Sequence, residues 1–169
     1  YNISLPLLKK DENNINSLIP KLSLRLSPHE MKNNIVTDRR INIDNIFLSN
    51  RLSLGDSLEA GESITFGLDF VKEKVTVTDK VLEIEQYFDL KLATVFRLNE
   101  EKNIPINSTL NKKTSNLFGK LNFKPNEVIS LGYNFSVSND ISTFEYNAIN
   151  TKFNYNDFST QFNYTEERG

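Results

Sequence analysis

The stretch of sequence that decides the fold is Phe88-Asp89-Leu90-Lys91-Leu92-Ala93-Thr94-Val95-Phe96-Arg97-Leu98. Apolar side chains occupy most of its even positions, and polar or small side chains occupy most of its odd positions. Successive side chains of a β-strand point to opposite faces of the sheet. This alternation therefore predicts a strand with one apolar face and one polar face.

The same period of two recurs along the chain, in residues 22–26, 64–70, 129–137 and 158–164. No segment has the i, i+3, i+4, i+7 spacing of an amphipathic helix. Between residues 144 and 155 the apolar side chains move from even to odd positions, which predicts a β-bulge near residues 148–150. The pattern as a whole predicts about eight strands, at residues 2–9, 17–27, 60–72, 84–98, 115–123, 128–138, 143–155 and 158–167.

The predicted connections differ in length at the two ends of the strands. If the strands run up and down in order, the long polar stretches 28–56 and 99–114 fall at one end, together with the short connection 139–142. The connections 10–16, 73–83, 124–127 and 156–157 fall at the other end. Long loops on one rim and shorter turns on the other are typical of an outer-membrane β-barrel.

The composition excludes several classes of function. Lys and Arg number 20 and Asp and Glu number 22, and the resulting net charge of -2 argues against nucleic-acid binding. The chain has Cys 0 and His 1, which excludes disulfide scaffolds, Cys-ligated zinc and any site built from two histidines. No run approaches the ~18 apolar residues of a membrane helix. We expect no cofactor and no metal site.

The single histidine, His29, is the best candidate for catalysis, as an outer-membrane phospholipase would require. It follows Pro28 at the start of a long connection, and no particular Ser or acidic residue stands out as its partner. Adjacent acids such as Glu100 and Glu101 would point to opposite faces of a strand, so they make a poor acid–base pair. We therefore predict that the chain is not an enzyme.

The two predicted faces allow two architectures. The apolar face is rich in Phe, Tyr and Leu, while the opposite face carries charges in mid-strand, at Arg25, Asp69, Lys91, Lys120 and Lys152. In a transmembrane barrel the apolar face meets lipid and the polar face lines a wet lumen. In a soluble β-sandwich, two apolar faces pack together. The aromatic face and mid-strand charges favour an all-β, antiparallel, up-and-down transmembrane barrel segment, and a sandwich binding module stays open as the alternative.

Three stretches near the start carry a family resemblance. They are residues 5–10 with 18–28 (LPLLKK and LIPKLSLRLSP), residues 44–57 (DNIFLSNRLSLGDS) and residues 58–68 (LEAGESITFGL). In order, they resemble the first strand pair, the FxxNRFSGxDR loop and the following E-x-G-x-x-hydrophobic-x-x-GL strand of the LptD family. The chain departs from that pattern at Ile19, where Glu is usual, at Ser57, where Arg is usual, and at Leu52-Ser53-Leu54, which weakens the match to Phe-Ser.

The resemblance implies a function. LptD proteins are large barrels in the outer membrane of Gram-negative bacteria that insert lipopolysaccharide into the outer leaflet. The lipoprotein LptE plugs the lumen, and lipopolysaccharide arrives over a periplasmic bridge through LptA. In its overall character the sequence resembles those of alphaproteobacterial family members with AT-rich genomes. We expect residues 1–169 to be a consecutive part of the barrel wall, without the periplasmic jellyroll domain that meets LptA, and a porin-like channel or receptor is the alternative among outer-membrane barrels.

Two sets of residues are candidate functional sites. The resemblance assigns Asn45, Phe47, Asn50, Arg51 and Gly55 to the family's loop motif. The charged residues of the polar face are predicted to face the lumen and to contact an LptE-like plug or the lipopolysaccharide head region; they are Lys21, Arg25, Asp69, Lys91, Arg97, Lys120 and Lys152. Ordinary lumen solvation and cross-strand pairing are the alternative role for this second set.

Overall fold

A computed structural model describes residues 1–55, 57–78 and 81–168 of the chain. Within them the chain forms nine strands and one short 3-10 helix, Ile106–Ser108. The strands are Asn2–Ser4 (β1), Leu7–Lys10 (β2), Asn14–Ser27 (β3), Gly61–Thr78 (β4), Val81–Arg97 (β5), Leu117–Phe123 (β6), Ile129–Val137 (β7), Phe144–Tyr155 (β8) and Phe158–Glu167 (β9).

All the strands belong to one antiparallel sheet. From β3 to β9 each strand pairs with the next along the chain, while β1 and β2 both pair with β3. The sheet is open, with β9 at one edge. The predicted all-β, up-and-down topology is therefore confirmed.

The first predicted strand is divided into β1 and β2, and one predicted connection is wrong. Residues 73–83 were expected to link two strands, but β4 continues to Thr78 and β5 begins at Val81, so only residues 79 and 80, which lie outside the described residues, separate them. A bulge explains the error, because it changes which positions of β5 face each side and so interrupts the alternating pattern. Lys72 pairs with Phe88 and Glu73 pairs with Gln86, so Tyr87 is the extra residue. The bulge places Ile84 opposite Val75, and both lie on the polar side of the sheet beyond that point.

The predicted bulge near residues 148–150 is also wrong in position. Pairing of β8 is regular there, and the register shift lies between Ser136 and Val137, whose partners are Tyr146 and Phe144. Glu145 is therefore the extra residue. The change of phase seen in the sequence is real, but it begins at the start of β8.

The register defines two faces of the sheet. The apolar face contains cross-strand neighbours such as Leu24, Ile64 and Phe96, and aromatic edge-to-face contacts such as Phe66–Phe96, with ring centroids 5.7 Å apart, run along it. Leu24 and Phe66 expose 37% and 49% of their surface. No second sheet covers this face within the described residues, so the β-sandwich alternative is not supported.

The polar face is partly covered, and the covering comes from loops. The first long loop (residues 28–60) and the second long loop (residues 98–116) bury a core against strands β4 to β6. Three core members lie on strands, Ala93, Val95 and Phe118. The others lie in the two long loops or at their ends, namely Met31, Ile41, Ile46, Leu52, Leu54, Ala60, Ile104 and Leu110. The main core of this chain is therefore between loops and the polar side of the sheet.

Helices contribute little to the structure. Among the described residues, no helix is long and apolar enough to cross a bilayer.

Candidate functional site

The first long loop is attached to the polar face through a buried carboxylate, that of Glu59. Arg51 donates to it from Nε at 2.7 Å and from Nη2 at 2.5 Å. Arg97, at the end of β5, donates from Nη1 at 2.7 Å, and the Nε of Arg25 on β3 lies 3.8 Å away. The side chains of Glu59, Arg51 and Arg97 are each exposed by no more than 3%. We call Arg25, Arg51, Glu59 and Arg97 the arginine cluster.

Neighbouring hydroxyls and a glycine complete the cluster. Arg51 also donates to Thr65 Oγ1 at 3.0 Å and to Ser63 Oγ at 3.1 Å, both on β4. Gly61 adopts a φ of 85°, which L side chains rarely adopt, and a Cβ built there would lie 2.7 Å from Nη2 of Arg97. Gly61 is therefore needed both for its backbone conformation and for the space that Arg97 fills.

The charge state of Glu59 follows from its neighbours. Burial raises the pKa of this carboxyl, but the hydrogen bond and charge of Arg51, together with the charges of Arg25 and Arg97, outweigh that effect and lower the pKa below its ordinary 4.5. Glu59 is therefore ionised at neutral pH. Three guanidinium groups surround one carboxylate, and the cluster carries an excess of positive charge.

A second attachment joins Phe47 to Gly67. A Cβ built on Gly67 would lie 2.5 Å from the ring of Phe47, so the ring packs directly on the backbone of β4. The Nζ of Lys21 lies 5.7 Å from the centroid of the same ring, close enough for a cation–π interaction. Arg25 adds two hydrogen bonds to the loop backbone, to Leu48 O at 2.7 Å and to Ser49 O at 2.6 Å.

These contacts show that the two resembling motifs fit together. Phe47 and Arg51 belong to the loop motif, whereas Glu59, Gly61 and Gly67 belong to the strand motif that follows it. The remaining loop-motif residues have smaller roles. Asn45 donates to Arg40 O at 3.1 Å and accepts from the Asn42 backbone at 2.9 Å.

The other positions of the loop motif contribute backbone only, or nothing that the structure records. The carbonyl of Asn50 accepts from the Ser53 backbone at 3.1 Å. A Cβ built on Gly55 would meet nothing within 4 Å. Asp56 lies outside the described residues.

The seven charged residues predicted for the polar side share one face by register, and most of them are paired. Lys21 contacts Asp69 at 2.5 Å, Lys91 lies 3.5 Å from Asp89, and Lys120 lies 2.9 Å from Asp44 of the first long loop. Arg25 and Arg97 belong to the arginine cluster. Lys152, on β8, is exposed, and the described residues give it no ion pair.

Sequence reasoning missed the acidic centre of the site, Glu59, and two glycines of the site, Gly61 beneath Arg97 and Gly67 beneath Phe47. The signal was present, because all three stand at the fixed positions of the strand motif. What the motif alone could not reveal is that the loop folds back over the strand. Isolated apolar residues in a polar loop, such as Ile41, Ile46 and Leu52, were the available sign of that folding.

The geometry of the arginine cluster is that of an anchor. The carboxylate of Glu59 is fully engaged by guanidinium donors, and among the described residues no nucleophile with an adjacent base lies in the cluster. Nε of Arg97 is buried without a hydrogen-bond partner. In the described part of the chain, no group of three or more His, Asp or Glu side chains is placed to hold a metal ion.

The chain matches the model of a known protein family. A family model described as "LptD: LPS transport system D" matches residues 3–168. The matched range covers nearly the whole chain, including both interlocked motifs. No curated protein matches the chain.

Proposed function

The chain belongs to the LptD family of lipopolysaccharide-transport proteins, and from that premise we propose that it forms part of the outer-membrane barrel wall through which lipopolysaccharide reaches the outer leaflet. In this proposal the apolar face meets membrane lipid and the polar face lines the lumen. The chain acts as a conduit wall and as housing for a plug protein, and performs no catalysis.

One observation carries the proposal, namely the unequal covering of the two faces. The aromatic face stays exposed along the sheet, with Phe66 at 49% and Phe162 at 62%. The polar face is where the chain buries its charges and its loop core. A water-soluble protein would reverse this arrangement, whereas a barrel in lipid requires it.

The two long loops cover one end of the lumen in the proposed barrel. Both attach to the same half of the polar face, the first long loop through the arginine cluster and the second through backbone bonds such as Ser115 N to Val95 O, 2.9 Å. In an outer-membrane barrel the long loops are extracellular. The anchored loops would therefore narrow the outer mouth of the lumen and leave the turn-bearing end open to the periplasm.

The proposed partners follow from this orientation. An LptE-like lipoprotein would enter the lumen from the open end and contact the uncovered part of the polar face, from the half-buried Lys91 on β5 to the exposed Lys152 and Gln161 on β8 and β9. Lipopolysaccharide is the cargo, and membrane lipid surrounds the apolar face. Contact with LptA would require a domain outside these 169 residues.

The proposal is tested on the whole gene product in its native host. We expect it to fractionate with outer membranes, to change its gel mobility on boiling and to co-purify with an LptE-like lipoprotein, and we expect its depletion to reduce lipopolysaccharide at the cell surface. A soluble protein with unchanged gel mobility would refute the barrel.

Charge reversal tests the contact with the plug protein. We expect reversal at Lys91 or Lys152 to weaken co-purification of the plug, and reversal at the loop residue Lys102 to leave it unchanged. Unchanged plug binding in both polar-face variants would refute that contact.

A further inference from the structure

A cavity separate from the arginine cluster lies on the polar side of the sheet. It has a volume of about 620 Å³ and lies between the first long loop at Arg40–Asp44, the second long loop at Ile106–Asn116 and the polar face of β6 to β8. Small-molecule sites typically occupy about 300–1,000 Å³. We call it the rim cavity, because the two long loops form its upper walls.

The acidic groups of the rim cavity are all engaged. Asp44 pairs with Lys120 at 2.9 Å, Glu145 accepts from Asn116 Nδ2 at 2.5 Å, and Glu167 pairs with Arg40. Lys112, by contrast, lines the cavity and has no ion pair or hydrogen bond with any described residue. Among the described residues, Lys112 is therefore a cation of the lining without a partner, whereas each carboxylate of the lining has at least one hydrogen-bond or ion-pair partner.

Several neutral polar groups of the lining are also unpaired. Oδ1 of Asn111 is buried without a hydrogen-bond partner. The side chains of Asn134 and Tyr146 make no hydrogen bond within the described part of the chain, and both line the cavity. An amide both donates and accepts, so these groups suit a ligand with many hydroxyls. A buried carbonyl oxygen left without a donor is costly, and a ligand hydroxyl would remove that cost.

Apolar surfaces complete the lining. Ile41 and Phe118, both buried core residues, contribute walls to the cavity. A lining that combines apolar walls with unpaired amides suits a sugar ring, which has C–H faces and hydroxyl edges. The free ammonium of Lys112 matches an acidic substituent on that sugar.

We infer that the rim cavity binds a saccharide carrying an acidic group, with Asn111 and Asn134 pairing its hydroxyls and Lys112 its anionic substituent. The inference rests on the proposed function only in so far as the lipopolysaccharide cargo would supply such a saccharide. It adds a specific holding point beneath the two loops, away from the arginine cluster.

The test uses the whole gene product in detergent and the core oligosaccharide released from lipopolysaccharide by mild acid, titrated calorimetrically. We expect saturable binding that Asn111→Leu and Asn134→Leu each weaken about tenfold, the equivalent of about 1.4 kcal/mol. Asn99→Leu is the matched control, because Asn99 lies in the same loop, exposed and outside the cavity. Lys112→Ala should weaken binding of the phosphorylated oligosaccharide but not of its dephosphorylated form, whereas Lys102→Ala should change neither.

Three results would overturn the inference: no saturable binding by protein that retains its heat-modifiable mobility, equal losses in Asn99→Leu and the two cavity variants, or equal effects of Lys112→Ala on both oligosaccharide forms. Surface lipopolysaccharide in depleted cells is measured separately. Normal export after depletion would refute the proposed function, while the titration would still decide whether the cavity holds a saccharide.

Discussion

Arg51 and Glu59 form a buried two-point ion pair, with N–O distances of 2.7 and 2.5 Å, between the middle of the first long loop and the residue that leads into β4. The pair closes a short segment of chain and fixes where the loop turns back over the sheet. Phe47 on Gly67 holds the loop at a second point. The loop is thus attached by one charged contact and one steric contact, and each can be broken separately.

Removing one partner of the ion pair should release the loop. Arg51→Met removes two hydrogen bonds but leaves Arg97 and Arg25 beside Glu59, so it should release the loop less. Glu59→Leu leaves the buried guanidiniums of Arg51 and Arg97 without their carboxylate, which typically costs about 3–5 kcal/mol. We expect proteolytic cleavage within residues 28–60 of the folded protein to be at least about 100-fold faster, since each 1.4 kcal/mol is about tenfold. Cleavage is followed on gels with the barrel intact.

A double-variant cycle checks that the pair itself is responsible. The Arg51→Met, Glu59→Leu protein should be less affected than the sum of the single variants, because the two hydrogen bonds between Arg51 and Glu59 can be lost only once. The exposed residues Arg39 and Glu100 provide matched controls, Arg39→Met and Glu100→Leu. Additive losses in the cycle would contradict a direct coupling.

Adding one methyl group to Gly67 should displace Phe47. The Cβ of Gly67→Ala would lie 2.5 Å from the ring, so the ring and the loop segment must move. Gly132→Ala is a matched control on the same face, where the nearest atom is 3.6 Å away. We expect overpacking of about 1–3 kcal/mol in the first variant, observed as faster loop cleavage, and little change in the second.

The steric origin of that effect has its own test. Combining Gly67→Ala with Phe47→Ala removes the colliding ring, so the double variant should be no worse than Phe47→Ala alone. A further loss in the double variant would show that Gly67 is required for its backbone and not for the space above it.

The loop attachment should depend on pH in a defined range. Because the pKa of Glu59 in the folded protein is below its ordinary 4.5, the ionised form contributes stability that is present above that value and is lost as the pH falls through the lowered pKa. Loop cleavage by an acid-tolerant protease should be constant from about pH 8 to about pH 5 and rise below it. Glu59→Gln should cleave faster throughout and lack the acid-dependent rise. A transition near neutral pH in the unaltered protein would contradict this assignment.

Two adjacent residues of β8 test which face meets lipid. Ile149 pairs with Tyr133 on the apolar face, and Asn150 pairs with Gly132 on the polar face. Arg on a lipid-facing strand position costs about 2–4 kcal/mol near the bilayer midplane. Ile149→Arg should therefore reduce the heat-modifiable form in outer membranes, while Asn150→Arg should assemble normally. The reverse order would mean that the faces have been assigned the wrong way round.

Period-two alternation was sufficient to predict most of the strands, because each strand has one exposed apolar face and one polar face. β9 was predicted with the bounds that the structure has, Phe158–Glu167. The pattern failed where a bulge inserts a residue, as at Tyr87 and Glu145, because the period then restarts on the other face. A sequence pattern shows that the phase changes, but the pairing partner decides where.

The candidate site was only partly predictable for a different reason. Arg51 and Phe47 stood out through the family resemblance, and Arg25 and Arg97 through their charge on the polar face. The carboxylate that the three arginines share, that of Glu59, lies between a loop and a strand, where no periodicity applies. Phe47 packs on Gly67 because glycine has no side chain to occupy that space. The sequence shows that a glycine is present but not which ring lies over it.

The bulge at Tyr87 also has a consequence for how deeply the sheet can sit in a bilayer. Up to Phe70 and Phe88 the outward side chains of the β4–β5 hairpin are aromatic or aliphatic apart from Thr94. The rings of Phe70 and Phe88 lie 5.9 Å apart. Beyond the bulge, Lys74 and Glu85 point outward and Val75 and Ile84 point inward. Outward charge on this hairpin begins with Lys72, opposite Phe88, and the inserted residue turns β5 so that Glu85 follows it on the same face. Hydrocarbon that covered the hairpin past that level would bury both charges.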